Sequence, residues 1–213
     1  MEQTVVFELT PKVPVDDFLP ELMFEFPDVP HDAMVSYVLR SIDRLCEKAN
    51  VLRRTATVRT QRCIKNYLIE PPDCMDVIAI MAVDEGKRST HPFVKLRRMF
   101  KAPNTYLVDA VTVERNELIF TRPLDNAEYI VTLSVKPRFD ACEVDAVLKE
   151  RFYDVVQAGV KAALCAMAGK NWSNNSHAEY WEKRFLTGAA SAAVDTLSNH
   201  QRGVINAARP RIL

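Results

Sequence analysis

The spacing of apolar residues changes twice along this chain, and these changes limit the possible fold more than any other feature. In residues 31–50 apolar side chains recur with a helical period, which predicts a first helix. Residues 54–137 contain short runs typical of strands, separated by turns rich in Pro, Gly and Asn. The helical period returns from Asp140. The predicted order is therefore helix, β-rich segment, helix, helix and tail.

The β-rich segment holds six runs with the composition of strands. They are residues 55–64, 67–69, 77–83, 106–113, 118–120 and 129–135. Because this segment leaves and rejoins the helices, we predict an α+β fold with an inserted domain. Residues 31–53 and 138–202 form a three-helix bundle, and the β-rich domain, 54–137, is inserted between the first helix and the C-terminal helical hairpin.

The two ends of the chain are predicted to form an N-terminal arm and a C-terminal tail. Residues 1–30 carry five prolines and several phenylalanines, which predicts an extended arm with a short helical turn near residues 16–23. Its aromatic residues are expected to pack on its own domain or on a neighbouring subunit. Residues 203–213 form a basic tail with no core periodicity, and Pro210 prevents helix continuation.

The turn of the C-terminal hairpin is the most distinctive local pattern. Gly169 is predicted to stop the first helix of the hairpin, and Ser176 with Glu179 forms a capping box for the second. A similar pair, Asp140 and Glu143, predicts where the first of these two helices begins. Trp172 in the turn is either an anchor for a partner or a lid over the hairpin end, and the pattern fits both.

Composition narrows the class of protein. Lys and Arg together number 28, as do Asp and Glu, and this zero net charge argues against a dedicated nucleic-acid binder. The number of cysteines, five, is odd, and no two of them have the CxxC spacing of zinc sites. Reduced thiols are therefore expected. No apolar run reaches the ~20 residues that cross a membrane, and the first residues do not have the pattern of a signal peptide.

Sequence patterns for catalysis are not found. The glycines are scattered rather than grouped in a phosphate loop, the four histidines are far apart, and no Ser lies in a GxSxG motif. We therefore predict no catalytic residues, no cofactor and no metal. A basic cluster, Lys95, Arg97, Arg98 and Lys101, is interleaved with apolar residues and fits either an acidic partner or an amphipathic turn.

A set of segments spread over most of the chain resembles one protein family. In order, they are SYVLRSIDRLCEKANV, YLIEPPDCMDVIAIMAV, APNTY, ELIFTRPLD, YIVTLSVKP and GVKAALCAMAGKNWSNNSHAEYWEKRF. Together they resemble the head-to-tail adaptor (connector) proteins of tailed bacteriophages. In the hairpin, the residues that match the family are Lys170, Trp172, Ser173, Asn174 and Ala178, whereas Asn171 and Ser176 stand where the family has prolines.

The resemblance implies a structural protein of the virion neck, made in the host cytoplasm. Such a protein assembles as a homo-oligomeric, dodecameric ring that binds the portal protein above and a tail or nozzle protein below. DNA passes through the channel without sequence-specific binding, and no enzyme activity, cofactor or membrane is involved.

Partner contacts are expected in two places. The tail carries charged and apolar anchors that suit docking onto the portal. With the turn tryptophan, the candidate partner-binding residues are Arg202, Arg209, Arg211, Ile212, Leu213 and Trp172. The alternative function is a small phage-encoded or bacterial hydrolase with its site between the helical and β parts; particle size distinguishes a ring from a monomeric enzyme.

Overall fold

The structure, a computed structural model of the 213-residue chain, describes residues 10–62, 64–71, 74–85, 110–112, 117–120 and 128–202. The chain divides into two compact units. The first unit consists of Met1–Val15 and Leu52–Ala146, and the second of Asp16–Val51 and Val147–Leu213. Strands lie in the first unit and helices in the second, which confirms the predicted α+β class.

The regular elements follow the predicted order closely. The strands are β1 Lys12–Pro14, β2 Arg53–Arg59, β3 Asn66–Leu68, β4 Met75–Glu85, β5 Ala110–Thr112, β6 Glu117–Phe120, β7 Glu128–Pro137 and β8 Glu143–Asp145. The helices are α1 Pro20–Glu25, α2 His31–Ala49, α3 Ala146–Cys165 and α4 Asn175–Arg202, with a short 3₁₀ helix at Val15–Phe18. All six strand predictions overlap an observed strand, although most of the predicted run 106–113 lies outside the described residues.

The strands of the first unit form three antiparallel sheets among the described residues. In the described residues the sheet orders are β2-β7-β4, β3-β6-β5 and β1-β8. Alternate residues of β2 and β7, such as Ala56 and Val131, are buried together, as the alternation in their sequences predicts. Two register shifts, after Val77 and after Ile80, mark irregularities of β4 against β7.

An aromatic cluster joins two of these sheets. Phe120 of β6 is buried, and its ring lies 5.7 Å from that of Tyr67 on β3 and 5.1 Å from that of Tyr129 on β7. These centroid distances are typical of favourable aromatic pairs. The β3-β6-β5 sheet therefore packs onto β7 through aromatic side chains.

The small β1-β8 sheet was not predicted, and it corrects the expected start of α3. Asp140 and Glu143 do not cap a helix, because Glu143–Asp145 is strand β8 and α3 begins only at Ala146. The N–H of Ala146 donates to the carbonyl oxygen of Pro11 at 2.9 Å. Pairing with a strand far away in sequence therefore outweighs the local capping signal.

A buried ion pair fixes this small sheet to β2. Arg54 Nη2 lies 2.6 Å from Asp145 Oδ1, which also accepts a 2.5 Å hydrogen bond from Thr10 Oγ1. The side chains of Arg54 and Asp145 are 8% and 2% exposed. Because both charges are out of water, each depends on the other for compensation.

In the second unit, α2 has the limits that its sequence predicts. Pro30 precedes the first residue of the helix, and Asn50 ends it in the left-handed conformation at φ 49°. The buried residues of α2 include Met34, Val38, Ile42 and Leu45, which recur at helical spacing. This face packs into the core of the helical unit.

Close packing of the helices depends on small residues. Ser41 Oγ of α2 donates to the carbonyl oxygen of Val156 on α3 at 2.8 Å. A Cβ at Gly159 would lie 2.2 Å from Ser41 Oγ and 2.9 Å from Phe185 Cδ2. The missing side chain of Gly159 therefore permits the close approach of these helices.

Residues 16–25 are anchored along one stripe of α3. Lys149 Nζ lies 2.8 Å from Asp17 Oδ2, and the ring of Tyr153, four residues later, stacks on Phe18 at 5.6 Å. One turn further along α3, Gln157 Nε2 donates to the carbonyl oxygen of Phe18 at 2.6 Å. The four-residue spacing of these α3 side chains places them on one face of the helix.

Candidate functional site

The turn between α3 and α4 is closed by hydrogen bonds of the main chain. The N–H of Asn174 donates to the carbonyl oxygen of Cys165, the last residue of α3, at 2.9 Å. The N–H of Ser173 donates to the carbonyl oxygen of Lys170 at 3.0 Å. Gly169, which was predicted to stop α3, instead lies in the turn four residues after the helix ends, at φ +75°.

Asn174, and not Ser176, caps the N-terminus of α4. Its Oδ1 accepts a hydrogen bond from the N–H of His177 at 3.1 Å, and α4 begins at Asn175. Ser176 is thus already inside the first turn of the helix, so the predicted capping box of Ser176 and Glu179 is wrong. Asn is an equally good cap, because its side-chain oxygen satisfies a free N–H in the same way.

Trp172 is half-buried at the apex of this hairpin. Its Nε1 is buried without a hydrogen-bond partner among the described residues. The ammonium group of Lys170 lies 5.9 Å from the centroid of the Trp172 ring. The indole therefore keeps part of its surface exposed beside a positive charge.

A cavity of about 530 Å³ opens beside Trp172. Aromatic and polar residues from three segments line it. They are Glu25, Phe26, Cys165, Asn171, Trp172, Ser173, Asn174, His177, Tyr180 and Trp181. A cavity of this size with several aromatic walls is typical of a site that accepts a side chain or a small molecule. We call it the turn cavity.

One wall of the turn cavity is held by a salt bridge. Lys161 Nζ lies 2.5 Å from Glu25 Oε1 and 4.9 Å from the centroid of the Trp181 ring. Burial raises the pKa of the neighbouring Cys165 thiol, the Glu25 carboxylate adds to this rise, and Lys161 partly offsets it. The salt bridge therefore ties the segment around Glu25 to α3, and the same Lys161 contacts Trp181 of α4.

A second depression of about 550 Å³ lies along α3 and α4. Its floor consists mainly of alanines, including Ala162 and Ala166, and Leu186 borders it. At its edge Arg44 Nη2 pairs with Glu182 Oε1 at 2.5 Å. Within this edge, Arg44 and Glu182 neutralise each other.

Of the predicted partner-binding residues, Trp172 is the one that the structure places at a cavity. Arg202 is the last residue of α4. Arg209, Arg211, Ile212 and Leu213 lie outside the described residues, as does the basic cluster Lys95–Lys101 in which Arg97 and Arg98 stand. The predictions for them stay predictions.

The other walls of the turn cavity were not predicted from the sequence. Glu25, Tyr180 and Trp181 were not predicted as site residues, and Phe26 was expected only to pack, as one of the aromatic residues of the N-terminal arm. The available signal was the density of Phe residues in the first 30 positions, because aromatic residues in a proline-rich segment need a surface to pack on. The pattern did not reveal which surface this is.

Comparison with known proteins does not assign this chain to a family. The chain matches no protein-family model, and no curated protein matches it significantly. Among the described residues, no group of three or more His, Cys, Asp or Glu side chains could hold a metal ion. Within the same residues, every helix is too short or too polar to cross a bilayer.

Proposed function

We propose that this protein is a head-to-tail adaptor that joins the portal of a tailed phage to its tail. The observation that carries the proposal is the α3–α4 hairpin with the residues of the resemblance in its turn. Lys170, Trp172, Ser173 and Asn174 form the connection, and Ala178 is buried in the first turns of α4. The same residues carry the likeness to the adaptor family in the sequence.

We further propose that α2, α3 and α4 form a three-helix bundle. In this arrangement, the β-rich domain is inserted between α2 and the hairpin of α3 and α4. The division of the chain supports this, because α2 and the hairpin belong to one compact unit and residues 52–146 to the other.

In the proposed role, copies of the chain form a closed ring around the DNA channel of the virion neck. One face of the ring binds the portal protein, and the other binds a tail or nozzle protein. Each contact between neighbouring copies uses two different surfaces, and such heterologous contacts close into a ring when the rotation permits. The protein acts as a structural part of the particle, and DNA passes without sequence readout.

The proposed role assigns the C-terminal tail to the portal. Its arginines suit carboxylates of a partner, and its aliphatic end suits shallow apolar pockets. The test is co-sedimentation of the chain with portal complexes, with and without residues 204–213. We expect the truncated chain to keep its circular dichroism spectrum and to lose attachment.

Electron cryomicroscopy of the particle neck tests the function as a whole. A ring of this chain below the portal is the expected result. A chain that is missing from the particle, and that remains a monomer with hydrolytic activity when purified, would instead support the alternative of a hydrolase.

A further inference from the structure

Both tryptophans of the chain, Trp172 and Trp181, line the turn cavity. Phe26 and Tyr180 add two more aromatic walls, and Tyr180 is 58% exposed. Trp and Tyr are enriched among the residues that anchor one protein to another, and aromatic walls accept an aromatic side chain through edge-to-face or offset contacts. The turn cavity therefore has the composition of a pocket for an aromatic anchor.

Two exposed cations lie beside these tryptophans. Lys170 Nζ is 5.9 Å from the centroid of the Trp172 ring, and Arg184 Cζ is 5.4 Å from that of the Trp181 ring. Neither cation forms an ion pair with a carboxylate in the part of the chain that the structure describes. Each can therefore interact with a negative charge from outside the chain.

The acidic residue at the turn cavity, by contrast, is already paired. Glu25 is the one residue with a carboxylate among the described residues that line the cavity, and its Oε1 lies 2.5 Å from Lys161 Nζ. Glu179, in the first turns of α4, borders the second depression instead. The turn cavity thus combines aromatic walls with two unpaired positive charges, and this combination favours a negatively charged partner.

We propose that the turn cavity docks an acidic segment of a partner protein. An aromatic side chain of this segment occupies the cavity, and carboxylates beside it contact Lys170 and Arg184. A protein segment is favoured over a nucleic acid because the chain has equal numbers of acidic and basic residues, whereas nucleic-acid binding relies on a basic excess. The inference goes beyond the proposed function, since it names the chemistry of a partner and does not require a ring.

Tryptophan fluorescence of the full chain tests the docking, because both tryptophans line the turn cavity. The probe is a blocked peptide with a single phenylalanine among glutamates, so it adds no tryptophan emission of its own. It is titrated up to about 1 mM, a range that detects weak binding. We expect a saturable change in the emission, with an affinity that falls as salt is added.

Two further peptides test the two halves of the proposed chemistry. A peptide with lysines in place of the glutamates should give no saturable change, because its charges repel Lys170 and Arg184. A peptide with alanine in place of the phenylalanine should bind about tenfold more weakly, because it lacks the anchor for the cavity.

Charge reversal at the two cations locates the binding site. Lys170→Glu with Arg184→Glu should weaken binding of the acidic peptide about tenfold, because repulsion replaces two exposed ion pairs. The matched control is Lys48→Glu with Arg40→Glu, which changes the same residue types at two exposed positions of α2. Arg40 also lies beside an aromatic ring, that of Tyr37. The control should bind like the wild type, and circular dichroism should show both variants folded.

Tyr180→Ala tests the aromatic pocket without removing either tryptophan. Because more than half of this side chain is exposed, its removal should leave the fold intact and weaken binding of the acidic peptide. Phe139→Ala removes a similarly exposed aromatic residue outside the turn cavity, so it should leave binding unchanged.

The possible results either support the docking or overturn it. Saturable binding that depends on the glutamates, on the phenylalanine and on the two cations supports it. Absence of saturation, equal binding of the lysine peptide, or an equal loss in the matched control overturns it. A single-stranded oligonucleotide that binds where the acidic peptide does not would also overturn it and assign the surface to nucleic acid. The adaptor function is decided separately by the ring in the particle neck.

Discussion

The ammonium group of Lys161 lies 2.5 Å from the carboxylate of Glu25, although 136 positions separate the two residues in the chain. The Lys161 side chain is 9% exposed and that of Glu25 is 43% exposed. The positive charge is therefore desolvated, while its partner remains partly in water. Loss of the partner is then more costly than loss of an ordinary surface ion pair.

Glu25→Ala should lower the free energy of unfolding by about 1–3 kcal/mol, because the buried ammonium group of Lys161 loses its charged partner. Chemical denaturation measures the change. Asp17→Ala is the control, since its partner Lys149 is 40% exposed and the pair should contribute at most about 1 kcal/mol. Equal effects of the two substitutions would contradict the importance of burial. The double variant Glu25→Ala with Lys161→Met should recover part of the lost stability, because it removes the buried charge as well.

Asn174→Ala should destabilise the helical unit by about 1 kcal/mol, because the N–H of His177 loses its acceptor. Ser176→Ala, two positions later, should change the free energy of unfolding by less than about 0.5 kcal/mol. Thermal denaturation of both variants decides between the two possible caps. A larger effect at Ser176 would return the cap to the residue that the sequence pattern favours.

Gly159→Ala should destabilise the protein by about 1–3 kcal/mol, although Ala is the better helix former. The added methyl group would meet Ser41 Oγ and the ring of Phe185. Denaturant titration measures the loss. Ser41→Ala removes the nearer obstacle, so it should cost less in the Gly159→Ala background than in the wild type. Additive costs would mean that the helices do not approach here.

Tyr153 should make stability fall at alkaline pH. Burial raises the pKa of its hydroxyl above the ordinary value of 10.0, with further contributions from Glu21 and Asp154. In the unfolded chain the tyrosine loses its proton near its ordinary pKa, whereas the folded chain retains it to higher pH. The contribution of Tyr153 to the free energy of unfolding is therefore complete below pH 10.0, and it is lost as the pH rises through the raised pKa of the folded chain.

The measurement compares Tyr153→Phe with the wild type in denaturant titrations at several pH values. The variant should show a shallower fall in the free energy of unfolding between neutral and strongly alkaline pH. Its ring can still stack on Phe18, so stability at neutral pH is the internal control. Parallel curves for the two proteins would show that Tyr153 does not carry the effect.

The sequence by itself determined the elements whose signals are local. The helical period of residues 31–50 predicts α2, and the strand-like composition of residues 129–135 predicts β7, because both signals act through neighbours within a few residues. The position of Gly159 on the apolar face of α3 likewise follows from helical spacing, whereas its contacts with Ser41 and Phe185 come from the packing of the helices.

Only the tertiary structure decided where local signals compete with distant partners. Glu143–Asp145 carries a capping pattern but pairs with β1, and it thereby brings Asp145 to Arg54. Phe18 and Phe24 stand in the same proline-rich segment, yet one is buried and the other exposed. Whether a side chain is buried, paired or left in solvent depends on residues that are distant in the sequence, 91 positions away for Arg54 and Asp145. No periodicity of the nearby sequence encodes those contacts.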